Sequence, residues 1–582
     1  MVGANRAEIL RQCRKQGILI TRSFFDNLAE FEDPMAILRG AQEFNISGVL
    51  DQNHLQLLAK LVPNNNSLTA VNATIEPTKI APATIVSKAE LQMPDIAEKG
   101  PLSQPTLDAQ NVEINHSPDK INASLNVKPS PARKEIRART IAPMVKPEPL
   151  APHILKGLQN YDIADFPMIA SDVDIDMEIH FDITGNSVTE GKMNDINSCF
   201  SSRLDKIRKM IVAGGEMPSR VTNINQLLAD RHAFTGRENV ACAIGLVNEP
   251  RNTKKGHLIF ELEDNTGATT CLLRKDENDP NPIISHGLMP DDVIGVAGTF
   301  SNTGDLFYVN DLFFPPLKRR KRKNSPDAQV SVAFLSDIHV GSKTFLEAQW
   351  QKMVQWFHTD PLAKTIKYFV LSGDCVDGVG IYPGQDKELS IPDLFNQYDE
   401  FARLLHQLPD WVECIMLPGN HDAVRPAEPQ PALEPDIQQS FNATHFVGNP
   451  CDFSLHGVRI LSYHGKSIDD YVSGMRNVTY SNPVQAMREM LQRRHLAPQW
   501  GGKTPLSPEP EDNLVINTVP DIFVTGHVHG HACVDHKGTT LVCSSTWQDQ
   551  TSYQRMLGFQ PKPCILTVVN LGTHMTANIP FA

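Results

Sequence analysis

No two of the ten cysteines stand in a C-x-x-C pair, which excludes a zinc ribbon. They are scattered from Cys13 to Cys564, most of them among apolar residues, as in VECIML and TLVCSS. They read as reduced, buried thiols. A long apolar run is also missing, so no membrane-spanning helix is expected. The opening MVGANRAEIL has no apolar core of the kind a signal peptide carries. The expectation is a soluble, cytoplasmic protein with no membrane partner. Basic residues are in deficit: 54 Lys and Arg face 67 Asp and Glu, a net charge of −13. Such a chain does not coat nucleic acid indiscriminately, although a local basic groove is compatible with it.

What is present divides the chain. Its 582 residues exceed one hydrophobic core. Residues 1–62 read as a small helical module, with Leu55, Leu58 and Val62 on one face and Asp51 as N-cap. Residues 63–170 are rich in Pro, Ala, Asn and Ser and nearly devoid of aromatics, the composition of a flexible, disordered linker. A strand and helix lead in over 171–218, the helix carrying Ile196, Phe200, Leu204 and Ile207 as a stripe. Short alternating runs over 219–316 predict a five-stranded β-barrel of OB type. Arg251, Lys254 and Lys255 share one of its loops, yet its strands hold few aromatics, so a structural or docking barrel is favoured over a strand-binding one. The 317–328 linker carries Lys318, Arg319, Arg320, Lys321, Arg322 and Lys323. This run reads either as a solvated stretch or as a nucleic-acid backbone contact.

Residues 329–582 alternate strand and helix patterns, an α/β architecture. Polar residues gather at the strand ends: Asp337 and His339 in SDIHVG, Asp374 and Asp377 in GDCVDG, Asn420, His421 and Asp422 in GNHD, His464 in SYHG, and His527 and His529 in GHVHG. Asp337 and His339, at i and i+2 of a strand, would share one face. Strand ends of an open α/β sheet converge on one crevice. Seven of these residues (Asp337, His339, Asp374, Asn420, His464, His527 and His529) are candidate metal ligands. Seven exceed one ion, so two ions sharing Asp374 are expected. Mixed oxygen and imidazole donors favour manganese, iron or zinc over a pure magnesium or calcium site. Asp377 and Asp422 read as supporting residues. His456, His495 and His531 have no motif behind them.

The ordered set of motifs resembles the calcineurin-like metallophosphoesterase superfamily. With the barrel, linker and helical module before it, the chain is similar to the small subunits of archaeal family D DNA polymerases. The resemblance implies a metallophosphoesterase αββα sandwich over 329–582. It implies two divalent cations, manganese first, with Mg2+, Fe2+ or Zn2+ as alternatives. Asp337, His339, Asp374 and His529 would hold one, and Asp374, Asn420, His464 and His527 the other. His421 would be catalytic, stabilising the transition state or protonating the leaving oxygen. The implied activity is a proofreading 3′→5′ DNA exonuclease, partnered by a large catalytic polymerase subunit in a heterodimer or larger assembly. A non-catalytic accessory subunit and a stand-alone metallophosphoesterase or repair nuclease are the alternatives.

Overall fold

The computed structural model describes residues 170–236, 239–275, 282–318, 330–556 and 558–582, with two short strands nearer the N-terminus. Those two, β1 (Leu19–Ile20) and β2 (Val49–Leu50), pair in parallel and add a β element to a segment whose pattern reads as helical. The helices expected within 1–62, the linker up to residue 169 and the basic residues Arg319–Lys323 lie outside the described residues. Lys318 is exposed. Among the described residues no helix is long and apolar enough to cross a membrane.

β3 (Met177–Phe181) precedes the helix Met193–Gly214, which ends where Gly215 turns left-handed at φ 69° and bonds back to the Val212 carbonyl. The buried face of this helix differs from the expected stripe. Cys199, Arg203, Leu204, Ile207 and Ile211 are buried, while Ile196 and Phe200 are only half-buried. The face turns toward Arg203 because Asp512 supplies a counter-charge at 2.7 Å. Five strands follow: β4 (Ala241–Asn252), β5 (Leu258–Asp264), β6 (Gly267–Leu273), β7 (Val293–Phe300) and β8 (Phe307–Phe313). They close into a barrel in the order β4-β5-β6-β8-β7. Strict alternation drives the closure: Leu258, Phe260 and Leu262 of β5 point inward while Glu261 and Glu263 face solvent.

The remaining strands form two six-stranded sheets. One contains β9 (Ser331–Leu335), β10 (Ile366–Ser372), β11 (Glu413–Leu417), β12 (Thr444–Phe446), β18 (Ile565–Asn570) and β19 (Thr576–Pro580). The other contains β13 (Cys451–Leu455), β14 (Val458–Ser462), β15 (Ile522–Thr525), β16 (Ala532–His536) and β17 (Thr539–Cys543), with β3 as its edge, antiparallel to β13. Val332, Phe334, Tyr368 and Val370 of the first sheet meet Phe453, Ile460, Val524 and Val542 of the second in one core. Helices Glu347–Thr359 and Leu394–Leu405 cover the outer face of the first sheet. Helices Ile468–Gly474 and Pro483–Arg493 cover the second. Every residue of β9 and β10 is buried, as parallel strands covered on both faces require.

Candidate metal centre

The central strands end before their polar residues begin. β9 stops at Leu335, and Asp337 and His339 lie in the loop beyond it, with φ of 53° and 54°. The strand-face argument for this pair is therefore replaced: both residues are turned inward by left-handed backbone in a loop. Asp374, His527 and His529 share the feature, with φ of 51°, 68° and 49°. Left-handed backbone costs a non-glycine residue of order 1–3 kcal/mol and persists where surrounding contacts over-determine it. Those contacts are visible. The N–H groups of Asp337 and Ile338 bond to the carbonyls of Gly373 and Asp374, and the Asp337 carbonyl accepts from the Trp547 N–H and Thr546 Oγ1. Gly419 and Gly526 are needed for space: a Cβ on Gly419 would lie 2.3 Å from Asp374 Oδ1, and one on Gly526 2.6 Å from Asp337 Oδ2.

Three groups of donors result, the third of them His339, Asp377 and His421. In the first, ligand atoms of Asp337, His339 and His529 lie within 4.8 Å of one another, and in the second those of Asp374, His464 and His527 do. Asn420 joins the second, its Oδ1 3.1 Å from His464 Nε2. Asp374 touches the first and the second: its Oδ2 lies 3.3 Å from His464 Nε2 and 3.9 Å from His339 Nε2. Its Oδ1 is occupied by the His421 N–H at 2.8 Å, which fixes the carboxylate with Oδ2 free. All seven candidates thus meet at one place.

The hydrogen bonds decide which nitrogens are available. His464 Nδ1 donates to the Ser372 carbonyl at 3.0 Å, so Nε2 faces Asn420 and Asp374 with its lone pair. His527 Nε2 is engaged by Asp469 at 3.1 Å, which leaves Nδ1 for the second group. His339 Nδ1 stands 3.1 Å from Asp377 Oδ1, which leaves Nε2 3.1 Å from His529 Nε2. Ring nitrogens and carboxylate oxygens therefore crowd together without a Lys or Arg among the described ion pairs of Asp337, Asp374 and Asp377. Such crowding demands positive charge. Burial opposes charge on His464, yet Asp374 and Asp337 outweigh it and push its pKa up to about 10. Burial likewise opposes the Asp374 carboxylate, but His464, His421 and His339 hold it well below the usual range. Burial pushes His529 well down, and His339 beside it adds to the effect. A donor set that captures protons this strongly is one that divalent cations fit.

His421 is half-buried and makes up the third group with His339 and Asp377. Its Nδ1 donates to the Asp377 carbonyl at 2.8 Å, so Nε2 is the free nitrogen. Burial lowers its pKa despite Asp374 nearby. Its ring meets that of His339 edge-on at 4.7 Å. Asp422 points away, accepting from the N–H of Gly419 at 2.8 Å and from Tyr398 at 3.0 Å. His456, His495 and His531 bond to Tyr368, Asp512 and Thr567, outside the centre. Sequence reasoning missed Asp469, five positions after His464 in HGKSID, and Gln554, which donates to His529 Nδ1 at 2.9 Å. Neither carries a motif; only the fold brings them to their histidines.

A cavity of about 550 Å³ lies elsewhere, along β3, lined by Ile179, Phe181, Val188 and Glu509 among others. Its one buried carboxylate, Glu509, is satisfied by Ser187, Val188, Thr189 and Arg425. The polar loops beyond β9, β10, β11, β14 and β15 are the stronger candidate on chemistry, whatever their volume.

A closed five-stranded barrel, joined to a two-sheet α/β domain whose loops converge on buried donors, defines the class to which known sequences can be compared. The family of DNA polymerase alpha/epsilon B subunits matches residues 332–533, a span that contains all seven candidates. The chain is 39% identical to the DNA polymerase II small subunit of Methanothermobacter thermautotrophicus, over 70% of this chain and 83% of that one. It is 40% identical to the Archaeoglobus fulgidus protein of the same description, over 68% and 79%, and 39% identical to that of Halobacterium salinarum, over 68% and 77%. The chain belongs to this family, the small subunits of archaeal DNA polymerase II, or family D.

Proposed function

We propose that the chain carries a metal-dependent 3′→5′ exonuclease that removes nucleotides from DNA 3′ ends for a large catalytic polymerase subunit, the two working as a heterodimer or larger assembly. The observation that supports this most is Asp374 Oδ2, a buried carboxylate oxygen within 4 Å of an imidazole from each donor group. The reading assigns residues 329–582 to a metallophosphoesterase domain, 219–316 to an OB barrel and the basic linker from Lys318 to Lys323 to backbone contact. Asp337, His339, Asp374 and His529 would hold one divalent cation, and Asp374, Asn420, His464 and His527 a second, manganese first by family resemblance and Mg2+, Fe2+ or Zn2+ as alternatives. When bound, such a pair supplies Lewis acidity that activates water and neutralises phosphodiester charge.

The protein groups do the rest. The phosphorus–O3′ bond of the terminal linkage breaks as water adds to phosphorus, releasing a nucleoside 5′-monophosphate and a new 3′-hydroxyl. The leaving O3′ needs a proton, which His421 would deliver from Nε2 after that nitrogen has taken one from solvent. Ser372 fixes the tautomer of His464, Asp469 holds His527, and the His421 N–H aims Asp374. The test is purified chain, with and without manganese, on 5′-labelled single-stranded and mismatched primer DNA. The expected result is a ladder shortening from the 3′ side only with metal. Absence of cleavage both alone and with the large subunit would overturn the proposal.

A further inference from the structure

The loop that follows Asp377 exposes apolar residues beside a buried polar centre. Val379 is 48% and Ile381 39% exposed, two positions apart on the loop. Tyr382 is half-buried, with its ring centroid 6.4 Å from that of His421. Gly378, at φ +74°, brings the row close: a Cβ there would lie 2.3 Å from the His421 carbonyl and 2.9 Å from Ile381 Cγ1. The loop is not loosely attached. Gln385, buried, accepts from the Ile381 N–H at 2.9 Å and donates to the Asp377 carbonyl and carboxylate at 2.8 and 3.0 Å. Gln397 bonds to both the N–H and the carbonyl of Gly378. Tyr382 donates to Glu388 at 3.0 Å, and the Glu388 carbonyl accepts from the Lys343 N–H, just beyond His339. Val340 and Val376 bridge the two candidate-ligand loops. The apolar row is thus held in register with the donors by four separate sets of hydrogen bonds.

A row of this chemistry next to His421 has a use if a flat, unstacked ring must sit there. We infer that Val379, Ile381 and Tyr382 form a platform that receives the terminal nucleobase of a single-stranded 3′ end and sets its phosphodiester beside His421. This rests on the exonuclease reading and names its substrate as an end whose last base is unpaired. Paired ends stay stacked in the duplex and reach the platform only after fraying, so a mismatched end is preferred. Stacking on apolar and aromatic faces tolerates all four bases.

The test uses the full chain and the variants Ile381→Ser, Tyr382→Ala and the double variant, with Tyr382→Phe as control. Three substrates are compared: a single-stranded oligonucleotide, the same strand ending in an abasic residue, and the same strand ending in a propanediol spacer, which has neither sugar nor base. The double variant is expected to lose about tenfold or more in kcat/KM on the normal strand, mainly through KM. On the other two substrates it should match the wild type, and Tyr382→Phe should match it on all three. A terminal 2-aminopurine, with calcium in place of manganese, should be quenched by the wild type and stay bright with the double variant. Equal loss on all substrates would overturn the platform, since the loop would then merely support the donors. No loss on any substrate would overturn it too. If the wild type cleaves no phosphodiester at all, the exonuclease reading fails, and the 2-aminopurine signal alone decides the platform.

Discussion

Two clusters of buried charge among the described residues are built on opposite terms. At the contact between the barrel, the helix Met193–Gly214 and the second sheet's helical layer, the buried acids Asp512 and Asp292 each have a guanidinium partner. Arg203 Nε pairs with Asp512 at 2.7 Å and donates from Nη1 to the Pro498 carbonyl at 2.5 Å. Arg493 Nε pairs with Asp292 at 3.0 Å and Nη1 with Glu489. His495 is satisfied as a neutral ring, Nε2 donating to Asp512 at 3.0 Å and Nδ1 accepting from the Ala497 N–H at 3.1 Å. The candidate metal centre has carboxylates and imidazoles in like density but no guanidinium or ammonium against Asp337 or Asp374 among the described ion pairs. Burial alone does not mark a functional site. A buried cluster whose charges the protein itself leaves unbalanced does, because something from outside must complete it.

The comparison can be broken at its strongest point first. Asp374→Ala removes the one carboxylate shared by both proposed cation sites. Elemental analysis should find both cations lost and cleavage down by about 10⁴-fold or more. One cation retained at full occupancy would refute the shared role. His421→Ala leaves all seven candidate ligands in place, so metal content should stay at wild-type level while kcat falls by about 10²–10⁴-fold. Loss of metal in parallel would move His421 into the coordination shell.

The paired cluster should respond in stability instead. Arg203→Met leaves Asp512 buried without its guanidinium and should cost about 3–5 kcal/mol in denaturant unfolding, with cation binding by the folded protein unchanged. The smallest effect is a pH slope. Burial, with Arg203 adding to it, lowers His495 to about 4 from its ordinary 6.5. The folded state thus binds this proton more weakly than the unfolded state does. Its contribution is fully present above pH 6.5 and is lost as pH falls toward 4, by up to about 3 kcal/mol. Protonation of Nδ1 would also break the bond from Ala497. His495→Gln should flatten that slope, read from unfolding midpoints between pH 7 and 4.

Sequence reading reached the barrel strands and the loops that carry GDCVDG, GNHD and GHVHG, because alternation and compact motifs are local signals. It placed Asp337 and His339 on a strand face, where the fold has them in left-handed loop backbone after Leu335. Alternation cannot see where a ladder ends. β12, of three residues, and β16, half-buried, are too short or too mixed to stand out. Asp469, Gln554 and the Arg203–Asp512 pair were invisible for a different reason: their partners are 58, 25 and 309 positions away in the chain.

Two cations sharing Asp374 would be magnetically coupled, which electron paramagnetic resonance of the manganese-loaded chain reads out. The account predicts the signal of an exchange-coupled manganese pair, with saturation at two equivalents per chain. A six-line spectrum of isolated ions, saturating at one equivalent, would contradict it.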